Sequence, residues 1–173
     1  MSLRSRNKMR VGLVDRRKSL IKLLKNRQEI LATAESCTGG MIASLLISIP
    51  GTSDVIKESF VTYAEETKSS LLDIDLFQIQ RHGVVSYNTA EAMVRGLREK
   101  YQCDLAIAST GVAGPGNDGD ILQGTVYLAV SYRNLIKVQK FHFKGTRNLV
   151  RIQASLKAIE LANTIVEGFH SCE

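Results

Sequence analysis

No apolar run in this chain approaches the roughly 20 residues that a helix needs to cross a bilayer, which argues against a membrane span. The basic N-terminus is not followed by the apolar block of a secretory signal. A cytoplasmic protein is therefore expected. The three cysteines, Cys37, Cys103 and Cys172, are odd in number and form no Cys-x-x-Cys pair, so no disulfide framework is expected. His82, His142 and His170 stand isolated in sequence. Without ligand spacing, neither a zinc site nor any other metal is expected. Internal repeats, low-complexity blocks and interdomain linkers are also missing, so the reading is one domain over 18–170 behind a tail over 1–17.

What is present fits an ordinary globular chain. The 173 residues can bury a core without staples, and 44% hydrophobic against 23% charged is a usual balance. The net charge of +6 is unevenly placed. Seven of the 23 basic residues (Arg4, Arg6, Lys8, Arg10, Arg16, Arg17 and Lys18) precede Ser19, against Asp15 as the single acid. The remainder carries equal numbers of each sign. A basic tail can touch phosphates, but the neutral body argues against nucleic acid as a partner, and the tail reads as solvated and disordered.

Periodicity places an amphipathic helix over 17–27, with Leu20, Ile21, Leu23 and Leu24 interleaved with lysines. A buried strand over 29–34 follows, then the turn Glu35-Ser36-Cys37-Thr38-Gly39-Gly40, then an apolar helix over 41–49 closed by Pro50-Gly51. A second strand is expected over 60–63 and a short helix through 67–72. Ser86 or Asn88 can cap a helix running to about Tyr101. The strand over 104–110 enters a loop holding five of the 13 glycines between Gly111 and Gly124. A hairpin turns at Arg133-Asn134 between strands over 125–132 and 136–143. The helix over 147–169 has Val150, Ile152, Leu156, Ile159, Leu161 and Ile165 as its apolar side. Alternating strands and helices imply an α/β fold, a sheet covered by helices on both faces and made mixed by the hairpin.

Ser36 stands where a strand gives way to a helix, with first-turn amides and two side-chain-free glycines beside it. An exposed hydroxyl, an anion site and little bulk are the needs of acyl transfer. A serine or threonine capping the helix satisfies the same spacing. No histidine carries a recognisable signature for a base. Lys68 is the alternative, a lysine made neutral by partial burial, although judged in isolation its position favours a solvated helix lysine. Cys37 invites a thiol-nucleophile reading, but a small cysteine here also simply packs. The 109–116 stretch can offer amides to a phosphate yet matches neither nucleotide-binding glycine motif. Asn117-Asp118-Gly119-Asp120 lacks the continuation of a calcium loop and reads as an Asx turn.

Three segments in order carry a resemblance. They are 33–40 (Thr-Ala-Glu-Ser-Cys-Thr-Gly-Gly), 60–63 (Phe-Val-Thr-Tyr) with Lys68, and 109–115 (Ser-Thr-Gly-Val-Ala-Gly-Pro). Gly83-Val84-Val85-Ser86, Gly124-Thr125-Val126 and Gly145-Thr146-Arg147 support it, and it extends over about 19–166. The chain resembles the CinA C-terminal family, whose characterised members are nicotinamide-nucleotide amidohydrolases. The resemblance implies a three-layer α/β/α sandwich around a mixed, mostly parallel sheet, a homodimer or higher oligomer, no cofactor, and a stand-alone form without the N-terminal molybdopterin-binding-like domain. It implies a Ser36/Lys68 dyad with Tyr63 orienting the lysine, acting on the carboxamide of nicotinamide mononucleotide (NMN). Glu35, Thr38, Gly39 and Gly40, together with Thr110, Gly111, Ala113, Gly114 and Arg147, are then the expected substrate contacts, with Arg147 on the phosphate.

One stretch departs from the family pattern. Residues 116–123 (Gly-Asn-Asp-Gly-Asp-Ile-Leu-Gln) lack the lysine and proline that members commonly carry before Gly-Thr-Val, which bears on substrate choice rather than on the dyad. Two other functions fit the residues: a nucleotide-binding module without turnover, and a competence- or DNA-damage-linked protein.

Overall fold

The computed structural model of the chain describes residues 16–169. Most of the expected basic tail, with His170 and Cys172, lies outside them. Arg16 and Arg17 are already helical, in α1 over residues 16–27. Arg17 ties that helix down by donating to Leu45 O at 3.1 Å and Ser48 Oγ at 3.0 Å.

The elements follow as β1 (Leu31–Glu35), α2 (Met41–Ile47), β2 (Ile56–Val61), α3 (Glu65–Leu72), α4 (Leu76–His82), α5 (Tyr87–Tyr101), β3 (Leu105–Gly111), β4 (Thr125–Tyr132), β5 (Leu135–His142) and α6 (Arg147–Gly168). The five strands form one sheet in the order β2-β1-β3-β4-β5. β1 runs parallel to β2 and β3, while β4 is antiparallel to both β3 and β5, so four of the five strands point the same way. The sheet is mixed because of the hairpin, as its sequence indicates.

Side-chain size separates the two faces of this sheet. Leu31, Leu105, Ile107, Leu128 and Val130 pack toward α1, α2 and α6, in a core with Leu20, Leu24, Ile42, Val150 and Ile159. The other face presents Ala32, Ala34, Ala106, Ala108 and Ala129, and α5 lies on it through Ala90, Met93, Val94 and Leu97. Alanines on the strands let the helix sit close. β1 is buried along its whole length and β3 up to Thr110, which explains their continuous apolar runs.

Several expectations need correction. α2 is apolar nearly all round but buries only Ile42, Ala43 and Leu46, and Ile47 is 58% exposed. On α6, Ile152 faces solvent, and the small residues Ala154, Ser155, Ala158 and Ala162 fill the inner face. β2 begins at Ile56, earlier than expected, because Lys57 and Glu58 belong to an edge strand that tolerates polar residues. α4 has no counterpart in the sequence reading. Its cap is Asp75, which accepts from Phe77 N at 2.9 Å, and Ser86 rather than Asn88 caps α5. No described helix is long and apolar enough to cross a membrane.

Register sets the location of the site. Glu35, the last residue of β1, lies between Val61 of β2 and Ser109 of β3. The turn at 36–40, Thr62-Tyr63 and the loop after Gly111 therefore emerge together at the carboxyl ends of parallel strands. Open α/β sheets place their ligands there.

Candidate active site

Ser36 is anchored through its amide, which donates to Ser109 O at 2.9 Å. Its hydroxyl accepts from Lys68 Nζ at 3.4 Å. Lys68 reaches it from α3 with a fully buried side chain, and donates also to the main-chain oxygens of Thr62 at 2.8 Å and Tyr63 at 3.1 Å. Burial disfavours the ammonium and pushes the Lys68 pKa down to about 8, while Glu65, Cys37 and Glu66 pull the other way. Two residues that each had an ordinary alternative in sequence thus meet, with the amine held by carbonyls that accept from it and leave Ser36 within reach.

Among the described residues the ammonium has no carboxylate partner at hydrogen-bond distance. Glu35, expected against substrate, is fully buried and turned to α2, where its carboxylate accepts from Ile42 N at 3.0 Å and Ala43 N at 2.8 Å. A buried charge needs such compensation, and the helix start supplies it. This corrects one expectation, because Glu35 does not face the cleft, and it uses up the Ile42 and Ala43 amides at the start of α2. Gly39 N is committed as well, to Ser36 O at 3.1 Å.

The other expected substrate contacts divide sharply. Gly111, Ala113, Gly114 and Arg147 line a cleft of about 320 Å³ together with Ser36, Cys37 and Tyr63. Thr110 does not line it. Its hydroxyl is buried and donates to Val84 O at 2.7 Å, tying β3 to the segment before α5. Thr38 is buried too, its Oγ1 2.6 Å from Ser109 Oγ. Gly39 sits at φ +60, where a side chain is strained, and a Cβ there would lie 3.1 Å from the Arg151 guanidinium. The space beside Gly39 is occupied by protein. Gly40, at φ +85, caps α2 and is also absent from the cleft wall.

Tyr63 acts in two separate ways. Its carbonyl holds Lys68, while its exposed side chain has a hydroxyl that accepts from Arg147 Nη2 at 3.2 Å. Arg147 opens α6 and also donates to Gly114 O, so it joins the glycine loop to Tyr63 across the cleft. Cys37 lines the cleft, but burial pushes its thiol up to about 12, and a thiolate nucleophile is not available.

Sequence reasoning missed Arg151. Its guanidinium donates twice to Thr38 O, at 2.9 and 3.3 Å, and fastens the serine turn to α6. Arg151 lies one helical turn after Arg147, and that spacing could have drawn attention to it. Ser109, Asn117 and Asp118 were likewise not assigned to the site. Among the described residues no group of three His, Cys, Asp or Glu comes together as metal ligands. A larger cleft of about 460 Å³ beside Ile47, Ile56 and Lys57 contains none of the residues of the three motifs.

A five-stranded mixed α/β fold that pairs a serine with a buried lysine at its carboxyl edge defines the class of protein. The family model for the CinA C-terminal domain matches residues 14–166, and the chain belongs to that family. It is 44% identical over 132 residues to a CinA-like protein of Geobacter sp. strain M21, covering 75% of this chain and 31% of that protein. A CinA-like protein of Thermotoga neapolitana is 36% identical over 142 residues, covering 82% and 35% respectively. The chain thus spans about a third of the length of the curated relatives it matches. Among solved structures, a CinA superfamily protein from Klebsiella pneumoniae 700603 superposes with a TM-score of 0.85 at 29% identity, covering 90% of this chain and 98% of that one. The competence/damage inducible protein CihA from Agrobacterium tumefaciens gives 0.84 at 30% identity, covering 90% and 95%.

Proposed function

We propose that this chain hydrolyses the carboxamide of nicotinamide mononucleotide, releasing ammonia and nicotinic acid mononucleotide, with Ser36 as nucleophile and Lys68 as base. The observation that carries the reading is the hydrogen bond from a buried, pKa-lowered Lys68 to the Ser36 hydroxyl. In its neutral form Lys68 takes the hydroxyl proton as Oγ attacks the amide carbon. The ammonium so formed then protonates the departing nitrogen, and ammonia leaves. Lys68, neutral again, draws a proton from water as it attacks the acyl ester. The acid is released and the Ser36 hydroxyl restored.

The tetrahedral oxyanion needs donors that the protein has not already used. Among the described residues, the amides of Cys37 and Thr38 are the candidates in the serine turn, since those of Ser36 and Gly39 are bonded. Arg147 suits the phosphate, because a guanidinium can offer a fork of donors to it. Ala113 and the glycine loop then form the wall against which the ring and ribose lie. The chemistry calls on no cofactor. A cytoplasmic setting and a homo-oligomer remain part of the proposal.

The substrate is tested by ammonia release from NMN, with free nicotinamide and glutamine as controls. The reading expects release from NMN far above both controls. Equal rates on all three, or none on NMN, would remove the nucleotide from the account.

A further inference from the structure

Among the described residues the cleft wall has two charged ones, Arg147 and Asp118, and the rest of that lining is neutral. Arg147 is already engaged with Gly114 O and the Tyr63 hydroxyl. Asp118 is exposed, and its carboxylate takes part in no hydrogen bond or ion pair among the described residues. The polar groups of Gly116, Asn117 and Gln123 around it are committed. Asn117 Oδ1 accepts from Gln123 N at 2.9 Å, Gln123 Oε1 accepts from Gly116 N at 3.0 Å, and Gln123 Nε2 donates to Gly145 O at 3.0 Å. The main chain of Asp118 is paired in both directions with Ile121, at 3.0 and 2.9 Å. The loop therefore holds an unpartnered carboxylate at the cleft on a backbone fixed at both ends, so little ordering remains to be done on binding. This is also the stretch where the sequence departs from the family pattern.

We infer that Asp118 is a specificity-determining residue that reads the charge of the ring bearing the scissile amide. It favours a cationic heteroaromatic amide over a neutral one and over the product, whose new carboxylate offsets the charge of its pyridinium ring. The inference rests on the amidohydrolase reading above. NMN carries one positive ring and one negative phosphate, and the cleft presents one group of each opposite sign. An anion facing a cation in a partly exposed cleft discriminates by about three- to tenfold at moderate salt, and less as salt rises. In the product the new carboxylate offsets the retained pyridinium charge and cancels most of that attraction, which favours release relative to NMN.

The experiment measures binding by calorimetry in a Ser36→Ala background, where ligand is not consumed, with Asp118 intact or changed to Asn. The probes are NMN, its 1,4-dihydro form, whose ring is neutral, and nicotinic acid mononucleotide. With Asp118 intact, NMN is expected to bind about three- to tenfold tighter than the dihydro form. Asp118→Asn should bring that ratio to about one by weakening NMN alone, leaving the dihydro form and the product within about twofold of their former affinities, while thermal unfolding stays unchanged. An unchanged ratio overturns the assignment. So does an equal weakening of all three ligands, which would mean a hydrogen bond to the shared ribose instead of charge reading. Failure of the folded Asp118-containing protein to bind any probe would overturn the amidohydrolase reading itself, and the inference with it.

Discussion

Lys68 is the residue on which the chemistry turns, and its burial has consequences of definite sign. With the pKa pushed down to about 8, the amine is mostly charged at neutral pH and becomes a base as pH rises. Turnover of NMN is expected to rise through pH 8 and level off above it, as a pH–rate profile would display. Lys68→Arg keeps the charge but cannot give up its proton, so activity should fall by about a thousandfold or more with no rise near pH 8. Stability shifts in a linked way. The unfolded chain holds this proton up to the ordinary lysine value of 10.5, so stability should increase with pH from about 8 toward that value. Glu35 gives the complementary case. Glu35→Gln keeps one acceptor but sets an amide N–H₂ against the other of the two donors, Ile42 N or Ala43 N, and should cost about 1–3 kcal/mol in urea denaturation.

Both residues were visible in the sequence, but with unequal success. Ser36 and Lys68 were named from their motifs, and the fold brings them together. Glu35 and Thr110 stand in those same motifs and were read as substrate contacts. They serve instead to hold the motifs in place, Glu35 on α2 and Thr110 on Val84. A motif marks which residues belong together. It does not separate those that touch a ligand from those that brace the turn, because that depends on which way each side chain leaves the backbone.

At the scale of elements, legibility followed burial. β1 and β3, covered on both faces, and the alternating β4–β5 hairpin were readable to within one or two residues. The start of β2 was not, since half of an edge strand faces water and its polar residues carry no periodic signal. α4 is seven residues long and buries only Ile79, too little for a periodic pattern to emerge. On α6 the large residue Ile152 faces out and alanines face in, so hydrophobicity alone chose the wrong residue. Close helix packing also reverses a propensity rule. An alanine ordinarily stabilises a helix relative to glycine, but a Cβ on Gly96 of α5 would lie 2.1 Å from Leu72 O at the end of α3. Gly96→Ala should therefore destabilise by about 1–3 kcal/mol, measured by denaturant unfolding.

For the whole molecule, the sheet order brings three distant segments to one edge. β1 and β2, which are joined through α2, lie side by side, and the chain then passes through α3, α4 and α5 to place β3 on the other side of β1. The nucleophile turn, the lysine and the glycine loop owe their meeting to that path. α6 closes the arrangement from the far end of the sequence, with Arg151 on the turn and Arg147 on the loop. Two arginines one helical turn apart at the start of α6 thus couple the long-range order of the fold to the cleft.

The central claim is that Ser36 and Lys68 form one catalytic unit. Its most direct test is ammonia release from NMN by the wild-type chain, Ser36→Ala and Lys68→Ala, side by side at pH 8.5, chosen as about half a unit above the Lys68 value so that most of the amine is neutral. The account predicts turnover by the wild type and a loss of about a thousandfold or more in each folded variant. Wild-type rates in both folded variants would contradict it.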